Sequence, residues 1–384
     1  MFFHIGSYAD NFPIHYQHNN LCINVDSGWH KVQNSGGNLL LYKGYIDNYK
    51  IEDKLSEIVS QQEPIYTGNF CVIECVDNGV NLKTDRTRSF PIWYSKTQGL
   101  NNLVPTDYTC WADSIVGILD NYEKVELKFD LIGNIESSHL TFDQVIDSVD
   151  KILKDKIQKF SDQLTGPIRI FLSGGIDTML LYSYVRKLDI PHTLIDFLHT
   201  DLDYFYLRNH GSLLKFWGYR QFHYWTKPSI LMSGTPGDEF TARGPTTANM
   251  ILKYHNTSVG DVLSDYEDSY MYQYFKKYSH IWEEQKDMQF GNLGQTIKEC
   301  LNILLNDWQH WHLGETISYT PLRDVNIFTT ISRLNKNDII DHVMNASVQK
   351  ELIKRNAPSL LNGISLQKNS SNYMENLTQI LGKD

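Results

Sequence analysis

The alternation of apolar and polar positions divides the chain into a strand-rich first part and a second part in which strands alternate with helices. Runs of strand-forming residues, separated by turn formers, occur in the first part at 38–42, 69–76 and 90–94. The second part begins near Thr141, whose spacing to Gln144 fits a capping box at the start of an amphipathic helix. We therefore expect a domain boundary between residues 130 and 140.

The second part has the pattern of a parallel sheet. The capped helix leads into the apolar run 168–172, which is followed by a glycine-containing loop and a predicted helix at 179–185. Two further strands are predicted at 192–195 and 229–232. Strands that alternate with helices are typical of a parallel sheet with right-handed crossovers. From about Thr246 onward, the pattern predicts mainly helices.

The composition fits two globular domains and limits the classes of function. The chain has 384 residues, of which 41% are hydrophobic, and a formal net charge of −10. Bulk nucleic-acid binding requires a basic face and is therefore not expected. No signal peptide or membrane-spanning apolar run is recognised. The irregularly spaced cysteines do not form a disulfide pattern, and we expect reduced thiols in a cytoplasmic protein: Cys22, Cys71, Cys75, Cys110 and Cys300.

The loop at residues 173–178 is the strongest candidate for a functional site. It lies between a predicted strand and a predicted helix, where helix amides and the positive end of the helix dipole favour phosphate. Gly174 and Gly175 would let the backbone fold closely around phosphate oxygens. Ser173 and Thr178 can donate hydroxyl hydrogen bonds, and Asp177 can hold Mg²⁺. The alternative is a purely structural turn.

A second loop, at residues 233–239, also follows a predicted strand. It contains Gly234, as a further candidate for nucleotide binding, and Asp238, as a second candidate metal ligand. Carboxylates from two strand ends, Asp177 and Asp238, are expected to share a Mg²⁺ ion. The alternative is a surface loop that carries an acidic pair.

Both loops resemble those of the N-type ATP pyrophosphatases, and of asparagine synthetases in particular. The first is similar to Ser-Gly-Gly-x-Asp-Ser, and the second to Ser-Gly-x-Gly-x-Asp-Glu with Pro236 in place of the second glycine. Segments 44–49, 67–70 and 85–94 resemble the family's glutamine amidotransferase domain. The resemblance implies an α/β protein in two parts. Residues 1–135 would form an Ntn-hydrolase-like antiparallel β sandwich. Residues 136–384 would form a doubly wound parallel-sheet ATP pyrophosphatase domain with a helical tail.

The amino-terminal domain departs from the family where its chemistry would occur. The family exposes a nucleophilic cysteine after removal of the initiator methionine, whereas this chain has Phe2 followed by Phe3. The family recognises glutamine with Asn-Gly-Glu, whereas this chain has Lys43, Gly44 and Tyr45. The resemblance therefore implies a domain that keeps its fold and has lost its glutaminase activity.

Three further site residues follow from the resemblance. Residues 320–324 are similar to the family's Val-Pro-Phe-Leu-Asp segment. Ile317 stands where the family has the glutamate that activates the acceptor, so Glu315 or Tyr319 is expected to replace that glutamate. Lys368 is similar to the lysine that stabilises charge in the transition states, with a solvated tail lysine as the alternative. Adenine is expected beside Ile195, at a strand end.

The implied reaction is the adenylation of a carboxylate by ATP with Mg²⁺, followed by attack of ammonia or an amine to give an amide and AMP. The expected partners are therefore small molecules, without bulk nucleic acid or a membrane, and a homodimer is left open. Another pyrophosphatase-loop chemistry, such as tRNA sulfur transfer, would need reactive cysteine pairs and a basic face. A further alternative is a pseudoenzyme that binds a nucleotide or a partner, which Pro236, Ile317 and Phe2 favour.

Overall fold

The protein is a mixed α/β structure with antiparallel and parallel sheets. The computed structural model describes residues 3–6, 12–61, 65–77, 79–85, 92–95, 117–120, 138–164, 166–172, 175–195, 230–234, 237–241, 243, 261, 264 and 317–364. In these ranges, no helix combines the length and the apolar character needed to cross a membrane.

The first sheet is mixed rather than antiparallel. Its five strands are β1 (Phe3–Gly6), β2 (Ile14–His18), β3 (Leu21–Val25), β8 (Ile92–Ser95) and β9 (Gly117–Asp120), in the order β2-β3-β1-β9-β8. Strand β1 pairs antiparallel with β3 but parallel with β9, and β9 pairs parallel with β8. The expectation of purely antiparallel pairing is wrong for this sheet, because β9 runs parallel to both β1 and β8.

The second sheet is antiparallel and has the order β4-β5-β6-β7. Its strands are β4 (His30–Gln33), β5 (Leu39–Ile46), β6 (Gly68–Val76) and β7 (Gly79–Thr84). A 3-10 turn (Ile51–Lys54) and helix α1 (Leu55–Ser60) cover one face, where Leu40, Tyr42 and Val72 belong to a buried cluster. The other face carries Lys43, which forms an ion pair with Asp26 at 2.6 Å, just after β3. The two sheets are therefore joined on this side.

In the second part of the chain, the described strands form a parallel sheet in the order β11-β10-β12-β13. Its strands are β10 (Ile168–Phe171), β11 (His192–Ile195), β12 (Ile230–Met232) and β13 (Ile317–Tyr319). The first three confirm predicted strands. Strand β13 was not predicted, because Ile317–Tyr319 lies in a segment that the sequence pattern assigns mainly to helices.

The described helices of the second part pack around an apolar cluster that includes residues of the parallel sheet. They are α2 (Phe142–Ser161), α3 (Ile176–Lys187), α4 (Gly237–Phe240), α5 (Val325–Ile331), α6 (Lys336–Asn345) and α7 (Ser347–Asn356), followed by a 3-10 turn (Pro358–Gly363). The predicted capping box is confirmed, since the Thr141 hydroxyl accepts the Gln144 amide and the Gln144 side chain accepts the Thr141 amide. Helix α2 buries the apolar stripe that this cap sets in register: Val145, Ile146, Val149, Leu153 and Ile157.

A buried charge cluster of Asp47, Lys156 and Asp324 joins the antiparallel sheet to the second part of the chain. The Lys156 ammonium lies 3.0 Å from a carboxylate oxygen of each aspartate, and all three side chains are at most 6% exposed. Burial alone would lower the pKa of Lys156, but the two carboxylates raise it above its ordinary value. Burial raises the pKa of Asp47. Each buried charge is therefore stabilised by the opposite charge of its neighbour and would be costly to bury without it.

Aromatic side chains pack beside this cluster. Tyr45, from β5, packs edge-on against Phe160 of α2 and against Tyr319 of β13, with ring centroids 5.1 Å apart in each case. The Tyr45 hydroxyl also accepts the backbone N–H of Thr320 at 3.0 Å. The antiparallel sheet thus contacts the residue that directly follows β13.

Candidate functional site

The two candidate loops follow neighbouring strands of the parallel sheet. The first follows β10 and the second follows β12. From β10 the chain passes to β11 on one side and later to β12 on the other, so the direction of winding reverses between β10 and β12. Such a reversal opens a crevice at the carboxyl ends of the strands, where α/β proteins bind ligands. The described parts of both loops therefore lie where a ligand site is expected.

Two glycines of the second loop lie directly against the start of α3. A Cβ atom on Gly234 would come within 2.7 Å of the Thr178 backbone nitrogen. A Cβ atom on Gly237 would come within 2.4 Å of the Asp177 carboxyl carbon. Side chains do not fit at such distances, so these glycines permit the close approach of the two loops. Gly234, predicted to bind nucleotide, has this packing role in the structure.

Asp177 lies in the first turn of α3, and its side chain is 12% exposed. Its Oδ2 accepts a hydrogen bond from Arg243 Nη2 at 2.5 Å, and its Oδ1 is 3.4 Å from Arg243 Nε. Gln349 of α7 also donates to Oδ1, at 3.3 Å. The carboxylate charge is therefore matched by a guanidinium in a two-point, charge-assisted contact.

A chain of hydrogen bonds fixes Gln349 behind this carboxylate. The Gln349 amide donates to the Thr241 hydroxyl at 2.6 Å, and that hydroxyl donates to the carbonyl of Gly237. His342 of α6 bonds the Thr241 carbonyl through Nε2, while its Nδ1 accepts the Val348 amide at 3.3 Å. The imidazole must therefore carry its proton on Nε2. Burial lowers the pKa of His342 to about 4, which keeps the ring neutral.

Sequence reasoning missed Arg243, Thr241, His342 and Gln349. Each belongs to a different segment from Asp177, and none stands in a recognisable motif. The signal that brings them together is tertiary, because α6 and α7 fold back beside the start of α3.

Among the described residues, the Tyr319 side chain lies in the core, a position that does not fit its predicted role as a catalytic residue. Its side chain is fully buried, and its ring stacks on Phe160 with centroids 3.7 Å apart. Its hydroxyl donates to the Lys156 carbonyl at 3.2 Å. Strand β13 therefore turns this side chain into the core. Asp324, in the adjoining segment, caps α5 through the Asn326 amide at 2.7 Å and pairs with Lys156.

The remaining predicted residues are described only in part. Gly175 precedes α3 as its extended N-cap residue, and Thr178 is buried in the first turn of that helix. Ile195 ends β11, where it pairs with Phe171. The backbone of Asp238 belongs to α4, but its side chain lies outside the described part, as do Ser173, Gly174, Glu315 and Lys368. Cys22, Cys71 and Cys75 are free thiols, and the other two cysteines also lie outside the described residues.

The described part of the site offers a carboxylate to Mg²⁺. Asp177 offers carboxylate oxygens, and its carboxyl group lies against Gly237, the residue before Asp238. Such a donor set suits Mg²⁺, which takes one or two protein carboxylates together with substrate phosphate oxygens. Among the described side chains, no group of three or more His, Cys, Asp or Glu residues has the spacing of a metal site. Asp177 could hold the ion in place of its contact with Arg243.

No model of a known protein family and no curated protein sequence matches the chain. The functional conclusion therefore depends on the motifs and on the geometry described above.

Proposed function

We propose that the protein is an ATP-dependent, AMP-forming ligase of the asparagine-synthetase type, which joins a small-molecule carboxylate to ammonia or an amine. The observation that carries the proposal is the contact between the loops that follow β10 and β12, at the point where the winding of the parallel sheet reverses. Asp177 lies in this contact, at the start of a helix whose first amides favour a polyphosphate. We assign residues 136–384 to this synthetase domain.

Residues 1–135 would be an amidotransferase-like domain without glutaminase activity. Phe3, beside the position of the family's nucleophile, is fully buried and packs edge-on against Trp29 at 5.4 Å. Lys43, where the family recognises glutamine, is buried in an ion pair with Asp26. Both observations support a structural use of the positions that would otherwise bind glutamine.

In the proposed reaction, a carboxylate oxygen attacks the α-phosphorus of ATP, and pyrophosphate leaves toward the amides before α3. Mg²⁺ bound by Asp177 and Asp238 would neutralise charge on the leaving group. The nitrogen of the amine then attacks the acyl carbon, and AMP leaves. The protein contributes mainly positioning and charge stabilisation. Lys368 remains the candidate for charge stabilisation, Glu315 for acceptor activation, and Ile195 for contact with adenine.

The test is to incubate the protein with ATP, Mg²⁺ and a panel of carboxylates, and to measure AMP and pyrophosphate. Ammonium and glutamine are supplied separately, and only ammonium or another free amine should serve. Asp177→Asn should abolish the signal, whereas Asp155→Ala, at an exposed position on α2, should not change it. Release of ADP and phosphate in place of AMP and pyrophosphate would exclude the reaction.

A second candidate is a protein that binds a nucleotide or a partner without activating a carboxylate. The observation that favours it is the contact of Arg243 with Asp177 at 2.5 Å, which neutralises the proposed metal ligand from within the chain. Titration with ATP in a calorimeter, taken together with the assay for AMP, distinguishes the two candidates. Binding of ATP without AMP formation on any carboxylate would support this second function.

A further inference from the structure

The two oxygens of Asp177 have different surroundings. Oδ1 faces the inside of the protein, where Gln349 donates to it and Gly237 lies against the carboxyl group. Oδ2 takes the short hydrogen bond from Arg243 Nη2. Oδ1 is therefore held by Gln349, which is itself fixed by Thr241, with a longer contact of 3.4 Å from Arg243 Nε, whereas the short contact at Oδ2 comes from Arg243 alone. Oδ2 therefore carries the shorter, charged contact, on the oxygen that Gln349 does not hold.

We propose that Arg243 is an internal counter-ion that covers the metal-binding oxygen of Asp177 in the unliganded protein, and that it transfers to the polyphosphate when magnesium and ATP bind. This inference rests on the proposed function, since it assigns a residue of the same site. It adds a phosphate-binding residue and a reason why the carboxylate can be buried before its ligand arrives.

Electrostatics require the exchange. A guanidinium and a divalent cation on the same carboxylate oxygen would repel each other at a distance of a few ångströms, in a region where water screens poorly. Asp177 and Arg243 are only 12% and 13% exposed, so each needs a partner at all times. The arriving polyphosphate supplies the anion that Arg243 needs, and guanidinium matches phosphate oxygens in a two-point geometry.

Gln349 is a positioning residue in this scheme. Its amide donates to Asp177 Oδ1 and to the Thr241 hydroxyl, and the Thr241 carbonyl is bonded in turn by the neutral His342 ring. Gln349, Thr241 and His342 contribute no charge to this network. The network therefore holds the Asp177 carboxylate in the same way whether Arg243 or a metal ion contacts Oδ2.

The experiment measures binding of Mn²⁺ alone, as a spectroscopic substitute for Mg²⁺, by electron paramagnetic resonance, and binding of ATP in EDTA by calorimetry. Arg243→Met should bind Mn²⁺ alone at least tenfold more tightly than the wild type, because Oδ2 is uncovered. It should bind metal-free ATP at least tenfold more weakly, because a phosphate ligand is lost. Arg355→Met, which removes an arginine from the exposed side of α7, should match the wild type in both measurements.

Arg243→Gln provides a second neutral variant in case the methionine variant does not fold, and the same directions are expected. The double variant with Arg243→Met and Gln349→Met should bind Mn²⁺ more weakly than the single variant Arg243→Met. Unchanged or weaker Mn²⁺ binding after loss of Arg243 would overturn the counter-ion role, and unchanged binding of metal-free ATP would overturn the phosphate contact. Failure of the proposed function would appear separately: the wild-type protein would form no AMP and pyrophosphate, while Arg243→Met would still change Mn²⁺ binding as expected.

Discussion

Replacement of Lys156 by Met tests the buried charge cluster that joins the antiparallel sheet to the second part of the chain. The ammonium is 4% exposed and lies 3.0 Å from both Asp47, which is 1% exposed, and Asp324, which is 6% exposed. Removal of one partner from such a buried pair leaves an uncompensated charge and costs about 3–5 kcal/mol. Asp324 keeps its bond from the Asn326 amide, so most of the loss should come from Asp47.

The assay is equilibrium unfolding in urea at pH 7, followed by tryptophan fluorescence and circular dichroism. Lys151→Met, at an exposed position on the same helix, is the matched control and should change the free energy of unfolding by less than about 0.5 kcal/mol. The double variant Asp47→Asn with Lys156→Met should recover much of the loss, because the stranded carboxylate is gone.

Two results would refute this reasoning. The first is a Lys156→Met variant that is as stable as the Lys151→Met control. The second is an Asp47→Asn change that gives no recovery in the Lys156→Met background, since the loss would then arise from packing and not from a stranded charge.

Three further predictions concern the glycine contact and two buried titratable groups. Gly234→Ala should destabilise the protein by about 1–3 kcal/mol in urea unfolding, because the new Cβ would lie 2.7 Å from the Thr178 backbone nitrogen. Gly166→Ala is the control, since a Cβ there would meet nothing within 4 Å. Equal losses of stability in the two variants would contradict the proposed contact. Folding lowers the pKa of His342 from 6.5 to about 4, so between these pH values the ring binds a proton in the unfolded chain but not in the folded protein. Wild-type stability should therefore drop by about 3 kcal/mol relative to His342→Gln as the pH falls from 6.5 to 4, and parallel pH curves would disprove this. Burial lowers the pKa of Lys43 to about 8, against an ordinary value of 10.5, so the unfolded chain binds more protons than the folded protein between these pH values. The free energy of unfolding of the wild type, measured relative to Lys43→Met, should therefore rise as the pH rises from 8 to 10.5. A difference that does not change with pH would contradict this prediction.

Local patterns predicted the elements that local physics determines. The capping box of Thr141 and Gln144 specified the start of α2 from two side chains three residues apart. The apolar runs that became β6, β10 and β11 were recognisable because each is long enough to show its composition. The two glycine loops were recognised by their residue types and their position after strands, and the structure brings their described parts together.

The features that the sequence could not predict depend on distant partners. The direction in which Tyr319 points is decided by Phe160 and Lys156, more than 150 positions away in the chain, so the spacing to Pro321 gave no guide to it. The parallel pairing of β1 with β9 joins Phe3 to Gly117 across the whole first part. The partners of Asp177 come from segments that are 66 and 172 residues distant.

The contact of Tyr45 with Thr320 bears on whether the second part of the chain could exist alone. A shortened protein that began at residue 136 would lose the ring that packs on Phe160 and Tyr319, and would open their aromatic surface to water. It would also lose the acceptor of the Thr320 amide and one of the two anions that surround Lys156. Selection against such losses gives the amino-terminal sheets a structural reason to persist, whether or not they process a substrate.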